Sequence, residues 1–298
     1  MNNDSSSEAK KRRNRARLSL KGLSIGDAFG QQFFAQPELA ATRMMPTPPW
    51  TITDDTVMAV SVVETLELES RIVPDLLAEK FARRYYEDPW RGYGGTAHGI
   101  LRRIYEGESW SIAAGEVFDG SGSMGNGGAM RAGPIGGYFA DDIDACVENA
   151  RLSAIVTHAH PDGQAGAIAV AIAAATAVRM SADDDAGRII EAAIAHTPSG
   201  PTLDGLHNAL DTPLTVDART ASNRLGNGGR VISSDTVPFS LWAAAKCLRD
   251  FEEAMWTTVS AFGDRDTTCA IVGSIVALAV GKSGVPQYWL DHREPLNC

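Results

Sequence analysis

Residues 53–69 read TDDTVMAVSVVETLELE, and this stretch decides the fold. Val57, Val60, Val63 and Leu66 recur every third residue, the spacing that lays apolar side chains along one helix face rather than alternating them across a strand. Thr53 and the acids behind it supply a helix start, because Thr and Asp accept hydrogen bonds from first-turn N–H groups and acids there complement the helix dipole. One such residue suffices for a cap. The adjacent carboxylates of Asp54 and Asp55, at the mouth of an apolar helix, call for a further partner.

The helical pattern extends in both directions. VPDLLAEKFARRYYED (73–88) places Pro74 in a first turn and Leu76, Leu77, Phe81 and Tyr85 along one side. Residues 141–158, 161–180, 183–196, 237–262 and 266–280 carry comparable apolar spacing, and small residues dominate 161–180 and 266–280, as in central helices that approach closely. The best strand candidate is the short GRVISS (229–234). Glycines cluster at 22–30, 91–95, 120–137 and 225–230, where turns and ligand-cradling loops both use their freedom. The fold expected is all-α: a compact single-domain orthogonal bundle of about a dozen helices over residues 18–298.

Charge is distributed unevenly. Residues 1–17 carry Lys10, Lys11, Arg12, Arg13, Arg15 and Arg17 against Asp4 and Glu8, a local +4 that leaves −14 for the rest of a chain of formal charge −10. A basic polar leader of this kind is expected to be a disordered tail. The acidic body argues against a broad nucleic-acid surface, because phosphate tracking needs Lys and Arg, so any such contact is expected only through the tail. Cys146, Cys247, Cys269 and Cys298 lie far apart with no CxxC pair, which suits a reducing cytoplasm rather than a disulfide framework or zinc ribbon. The polar start has no apolar core segment, so no signal peptide is expected, and the longest apolar run, Ala165 to Val178, is shorter than the roughly 20 residues of a membrane span. A soluble cytoplasmic monomer, without membrane contact, is the expectation.

Downstream, AFGDRDTTCAIVGSI (261–275) echoes the opening stretch: Asp264 and Asp266, two threonines, then a small apolar helix. Each acidic pair on its own caps its helix. Were the two helix starts to converge, Asp54, Asp55, Asp264 and Asp266 would crowd one pocket, a charge that two divalent cations balance. All-oxygen donors suit Mg²⁺ or Mn²⁺ better than zinc.

The segments GLSIGDAFG, TDDTVMA, RGYGG, GNGGAMRAGPIG, VTHAHPDGQAGAIAVA and GDRDTTCAIVGSIVAL occur in this order from about Gly22 to Trp289. Together they resemble the ADP-ribosylglycohydrolase family, or ADP-ribosyl-acceptor hydrolases, which includes the enzyme that reactivates dinitrogenase reductase. The resemblance implies an all-α domain around a central binuclear Mg²⁺ or Mn²⁺ site. It implies Thr53, Asp54, Asp55, Asp264, Asp266 and Thr267 as metal ligands, with Asp55 and Asp266 helping to deprotonate an attacking water. Gly125, Asn126, Gly127 and Gly128 would offer N–H groups to the diphosphate of ADP-ribose, with Met130 packed nearby and Arg131 adding charge. Tyr93 is a candidate at the ribose or adenine end, and His158 a candidate contact near the substrate. His160 makes an HxH pattern with His158 that is expected to be a satisfied capping or pocket element rather than a metal site, and Asp27 either orients the first helix or a water at the metal site, or has a structural role only.

The implied reaction is hydrolysis of the glycosidic bond between ADP-ribose and an acceptor, such as an arginine or serine side chain or a small conjugate. The alternatives are a catalytically impaired ADP-ribose-binding or toxin-neutralising protein of the same fold and, more distantly, a metal-dependent phosphoesterase. Two departures bear on the choice. Phe34 stands where many relatives carry a glutamate seven positions after Asp27, with Glu38 a possible substitute. Arg265 stands between the late aspartates where relatives have a small hydroxyl residue, and Phe262 replaces a glycine. Arg265 would salt-bridge an aspartate, contact phosphate, or point away.

Overall fold

The computed structural model describes residues 2–296, and helices follow one another through them. They are α1 (Asn2–Ala35), α2 (Glu38–Thr42), α3 (Asp54–Glu69), α4 (Pro74–Glu87), α5 (Gly95–Tyr105), α6 (Trp110–Gly115), α7 (Gly127–Met130), α8 (Gly133–Tyr138) and α9 (Ile143–Ile155). There follow α10 (Pro161–Arg179), α11 (Arg188–His196), α12 (Pro201–Leu210), α13 (Ala218–Leu225), α14 (Ser233–Lys246), α15 (Phe251–Val259), α16 (Arg265–Gly284) and α17 (Gln287–His292). The all-α expectation is met, with the count above a dozen because several helices are only one or two turns long. Among the described residues there is no strand: GRVISS contributes an isolated bridge between Gly125 and Ile232 before Ser233 starts α14.

The basic segment 1–17 corrects the expectation of a disordered tail, because it is helical from Asn2 and forms the first half of α1. Arg15 supplies the reason. Its Nε donates to Gly137 O (2.8 Å) and its Nη2 to Tyr138 O (3.3 Å) and Asp141 Oδ2 (2.6 Å), so it covers the last carbonyls of α8. Ala16 beside it is fully buried. Composition signals a solvated run but does not show that one arginine closes the end of a distant helix.

Gly22, Gly26 and Gly30 are not turn residues. They step along one face of α1 at four-residue intervals and meet Gly273, Cys269 and Arg265 of the antiparallel α16. A Cβ on Gly26 would lie 2.1 Å from Cys269 O, so the two backbones touch. This close seam carries Asp27, in the C-terminal third of α1, to the N-terminal end of α16.

Helices α10 and α16 are long and apolar enough to cross a membrane by length and composition, yet most of each is buried against neighbouring helices, which accounts for their apolarity. Caps follow the local sequence: Asp142, Asp217 and Asp250 accept from Ala145, Thr220 and Glu253 N–H. His160 Nδ1 accepts from Asp162 N–H and starts α10 as a cap, as expected. Cys146, Cys247 and Cys269 are buried free thiols, while Cys298 lies outside the described residues.

Candidate active site: a cleft floored by carboxylates

Thr53 opens α3 as anticipated, its Oγ1 accepting from Asp55 N–H (3.3 Å). The next turn is organised from outside. Asp27 of α1 accepts from Thr53 N–H (2.9 Å), Thr53 Oγ1 (2.8 Å), Thr56 N–H (3.1 Å) and Thr56 Oγ1. Asp27 is therefore the anchor that ties α1 to the start of α3. The seam between α1 and α16 then brings the start of α16 to the same place, and Thr267 Oγ1 donates to Asp55 Oδ2 at 3.3 Å across 212 residues of chain.

The two acidic helix starts converge. Asp54, Asp55, Asp264, Asp266 and Thr267 line one cleft of about 510 Å³, a volume that suits a small organic ligand. Carboxylate oxygens of Asp27, Asp55 and Asp266 lie within 4.8 Å of one another. Asp27 is the member that sequence reasoning left out of the cluster, and its local GD motif gave no sign of five acceptor contacts with α3. Those contacts use its oxygens, which leaves Asp55, Asp266, Asp54 and Asp264 as the carboxylates facing the cleft.

Burial and mutual repulsion raise the pKa values of these carboxyls together. Burial, then Asp27 and Asp264 nearby, push Asp54 up to about 7, while Arg131 pulls the other way. Burial first and Asp266 second push Asp55 well above the usual carboxylate range. Asp266 is raised likewise, by burial and by Asp264, with which it shares a hydrogen bond. Asp55 Oδ1 is buried without any hydrogen-bond partner. A hard divalent cation fits this donor set: it replaces protons on crowded oxygens and satisfies the orphaned Oδ1.

One wall is the loop before and within α7. Asn126 Nδ2 donates to Asp264 Oδ2 (2.7 Å) and Thr236 Oγ1 (3.1 Å), so this loop residue orients a floor carboxylate. Gly125, Asn126, Gly127 and Met130 line the cleft, but Gly128 does not; a Cβ there would press on Ala154 and Gly163 O, so Gly128 serves packing. The N–H groups of Gly125 and Asn126 already donate, to Ser123 Oγ (3.1 Å) and Val231 O (3.3 Å). This corrects the expectation that all four residues offer free N–H groups.

His158 lines the cleft behind the glycines, and a Cβ on Gly127 would lie 2.9 Å from its ring. Arg131 Nη2 donates to Thr157 Oγ1 (2.9 Å), which lies 2.7 Å from His158 Nδ1. We assign the hydroxyl proton to Nδ1, which leaves Nε2–H facing the glycine loop. Burial, reinforced by Arg131, pushes His158 down to about 3, so it is neutral near pH 7. Arg131 is fully buried, over the Phe81 ring, and holds Gly127 O (2.8 Å) and Ser153 O (2.7 Å).

Tyr93 does not line the cleft, although Gly92 and Gly94 on either side do. Its ring is buried edge-on against Tyr85 and His98, which corrects the expectation of a ligand contact. Glu38 is exposed, outside the cleft, and does not replace the missing glutamate. Arg265 points away from the aspartates: Nη1 donates to Phe33 O, and its guanidinium lies 5.5 Å from the Phe34 ring and 4.9 Å from that of Phe262.

The class that fold and site define is an all-α bundle whose acidic helix starts gather under a glycine loop, in a cleft whose donor set fits divalent cations. Residues 8–296 match the profile of the ADP-ribosylglycohydrolase family, and the chain belongs to that family. It is 26% identical to the ADP-ribosylhydrolase ARH3 of Homo sapiens, covering 92% of this chain and 88% of that protein. An ADP-ribosylarginine hydrolase of Serratia proteamaculans is 24% identical, covering 93% of this chain and 74% of that protein. A solved structure described as an ADP-ribosylglycohydrolase-related protein complex superposes with a TM-score of 0.69 at 23% identity, covering 96% of this chain and 94% of that one, and so shares the fold.

Proposed function

We propose that this protein hydrolyses the glycosidic bond between ADP-ribose and an acceptor, with Mg²⁺ or Mn²⁺ as cofactor. The observation that carries this is the convergence of Asp54, Asp55, Asp264 and Asp266 on one cleft beside the Gly125–Gly127 loop. The family and the names of the relatives support an ADP-ribosylated protein or small conjugate as substrate.

Asp54, Asp55, Asp264, Asp266 and Thr267 would hold two divalent cations; Thr53, expected among the ligands, does not line the cleft and instead turns its hydroxyl to Asp27 (2.8 Å) and Asp55 (3.2 Å). When bound, the cations supply charge neutralisation and Lewis acidity at the ribose. The chain's own groups do the rest. Asp55 or Asp266 accepts a proton from the water that adds to C1 of the ribose as the bond from C1 to the acceptor breaks, and the acceptor leaves protonated. Gly125 and Gly127, lacking side chains, let neutral His158 pack directly behind the loop that the diphosphate would approach. Asn126 keeps Asp264 aimed at the cleft.

A second reading has a specific observation behind it. Phe34, half exposed, replaces the glutamate of many relatives, and no other carboxylate from the end of α1 lines the cleft. This favours a protein that binds ADP-ribose without turnover. Incubation with ADP-ribosyl-arginine and ADP-ribosyl-serine peptides separates the two. Free ADP-ribose released only with Mg²⁺ or Mn²⁺ supports hydrolysis; tight ADP-ribose binding with no release supports the binder. AMP release would overturn both in favour of phosphoester chemistry.

A further inference from the structure

A diphosphate entering this cleft meets a floor of carboxylates, so its charge needs a nearby cation from the chain. Arg131, the candidate visible in sequence, is spent. Its Nε reaches Ser153 Oγ (3.5 Å), Nη1 donates to Gly127 O, and Nη2 donates to Ser153 O and Thr157 Oγ1, all within a fully buried pocket. The glycine loop does not supply the charge either: Gly125 and Asn126 have directed their N–H groups to Ser123 and Val231, and what remains at the start of α7 is the neutral N–H groups of Gly127 and Gly128.

Arg230 is different. It lines the cleft and is exposed, and its guanidinium has no hydrogen bond or ion pair among the described residues. Its backbone is nevertheless fixed: Arg230 N–H donates to Asp235 Oδ2 (3.0 Å) and Val231 N–H to Gly228 O (2.7 Å). The adjoining residues are stitched to the glycine loop, through Asn126 N–H to Val231 O and the bridge between Gly125 and Ile232. Val231 is held at φ 56°, a conformation that a β-branched residue rarely adopts, so this turn is kept at a cost in backbone strain.

We propose that Arg230 is a specificity-determining residue that meets the diphosphate of the ligand at the mouth of the cleft; this rests on the ADP-ribose reading of the site. A planar guanidinium on a fixed backbone suits two-point contact with phosphate oxygens. The side chain is exposed and has no protein contact to break, so it adds selectivity for phosphorylated ligands without burying a charge.

The test is calorimetric titration of ADP-ribose and of adenosine, in buffer containing Mg²⁺, into the wild type and the variants Arg230→Gln, Arg230→Lys and Arg224→Gln. Arg224 is an exposed cation outside the cleft and controls for net charge. The expected result is ADP-ribose affinity about tenfold weaker in Arg230→Gln, partly restored in Arg230→Lys, with adenosine affinity unchanged and a shallower salt dependence. Equal ADP-ribose affinity in wild type and Arg230→Gln overturns the assignment. Equal weakening of adenosine and ADP-ribose also overturns it, in favour of support for the loop. Normal ADP-ribose affinity with slow turnover of an ADP-ribosylated protein places Arg230 on the acceptor instead. Failure of the wild type to bind ADP-ribose overturns the reading of the cleft itself, and the assignment with it.

Discussion

The guanidinium of Arg265 lies 5.5 Å from the centroid of the Phe34 ring, so two of the three motif departures read in the sequence are in contact. Phe262, the third departure, closes the other side of Arg265 at 4.9 Å and also carries Arg219 at 5.0 Å. Phe262 sits at φ 62°, where a glycine is the unstrained choice; two flanking guanidiniums offset part of that strain. Arg265 also donates to Phe33 O, in the last turn of α1, where a positive charge complements the helix dipole. The departures therefore form one structural unit beneath the carboxylates, and Arg265 makes no ion pair with Asp264 or Asp266.

That unit is testable by a double-mutant cycle in Arg265→Met and Phe34→Leu. Each single change should destabilise the protein, Arg265→Met by about 2 kcal/mol because it orphans a carbonyl as well as losing both rings. The coupling energy expected is about 0.5–1 kcal/mol, read from urea denaturation. Strict additivity would show that the ring and the guanidinium do not interact.

Asp54→Asn combined with Asp55→Asn should lower metal-dependent turnover by at least about 100-fold, the usual scale for loss of a general base. Helical content by circular dichroism should survive, because Thr53 and Asp27 still organise the start of α3. Without divalent cation the variant should melt no lower than the wild type, since two repelling carboxylates are gone. Near-normal turnover would sink the proposed role of the pair.

The raised carboxyl pKa values fix the sign of a pH effect. In the unfolded chain Asp titrates near about 4. In the folded chain burial and like charges raise Asp54 to about 7, and Asp55 and Asp266 well above the ordinary range. Protons are thus bound more tightly by the folded state, and the stability this confers is full below about pH 4 and fades as pH rises through about 7. The melting temperature of the chelator-treated protein should carry this contribution, falling across that window relative to the Asp54→Asn, Asp55→Asn variant. Mg²⁺ or Mn²⁺ should restore it most strongly at the upper end, with proton release on binding. A difference between the two proteins that is flat with pH would contradict the proposed crowding.

Gly26→Ala sets two effects in opposition. Alanine gains about 1 kcal/mol in helix propensity over glycine. Its Cβ would lie 2.1 Å from Cys269 O, and that atom is backbone on a buried helix, so the seam must open. Overpacking of about 1–3 kcal/mol should win, lowering the urea midpoint. Turnover should fall as well, since the same seam aligns Asp27 with α16. A stabilised variant would mean that the seam yields freely.

The sequence by itself determined the helical class, the capped start of α3, and the two acidic starts with their shared chemistry. These are local properties: apolar spacing and capping residues act within a few positions of chain. It also narrowed His160 to a capping or pocket element, and the structure settles on the cap, since a single side chain can reach its own helix start. Only the tertiary structure decided that the two acidic starts share one cleft, because their meeting depends on glycines of α1 touching α16 across more than 200 residues of chain. The same is true of Arg15, which looks like part of a solvated basic run until α8 supplies its carbonyls. It is true of Tyr93 and Gly128, which face inward although their neighbours in the same motifs line the cleft. Asp27 is the plainest case: its neighbours in sequence reveal nothing of the threonines of α3 that use its oxygens. Periodicity records which face of a helix is buried, whereas the direction of a polar side chain is set by whichever distant donor the packing brings within reach.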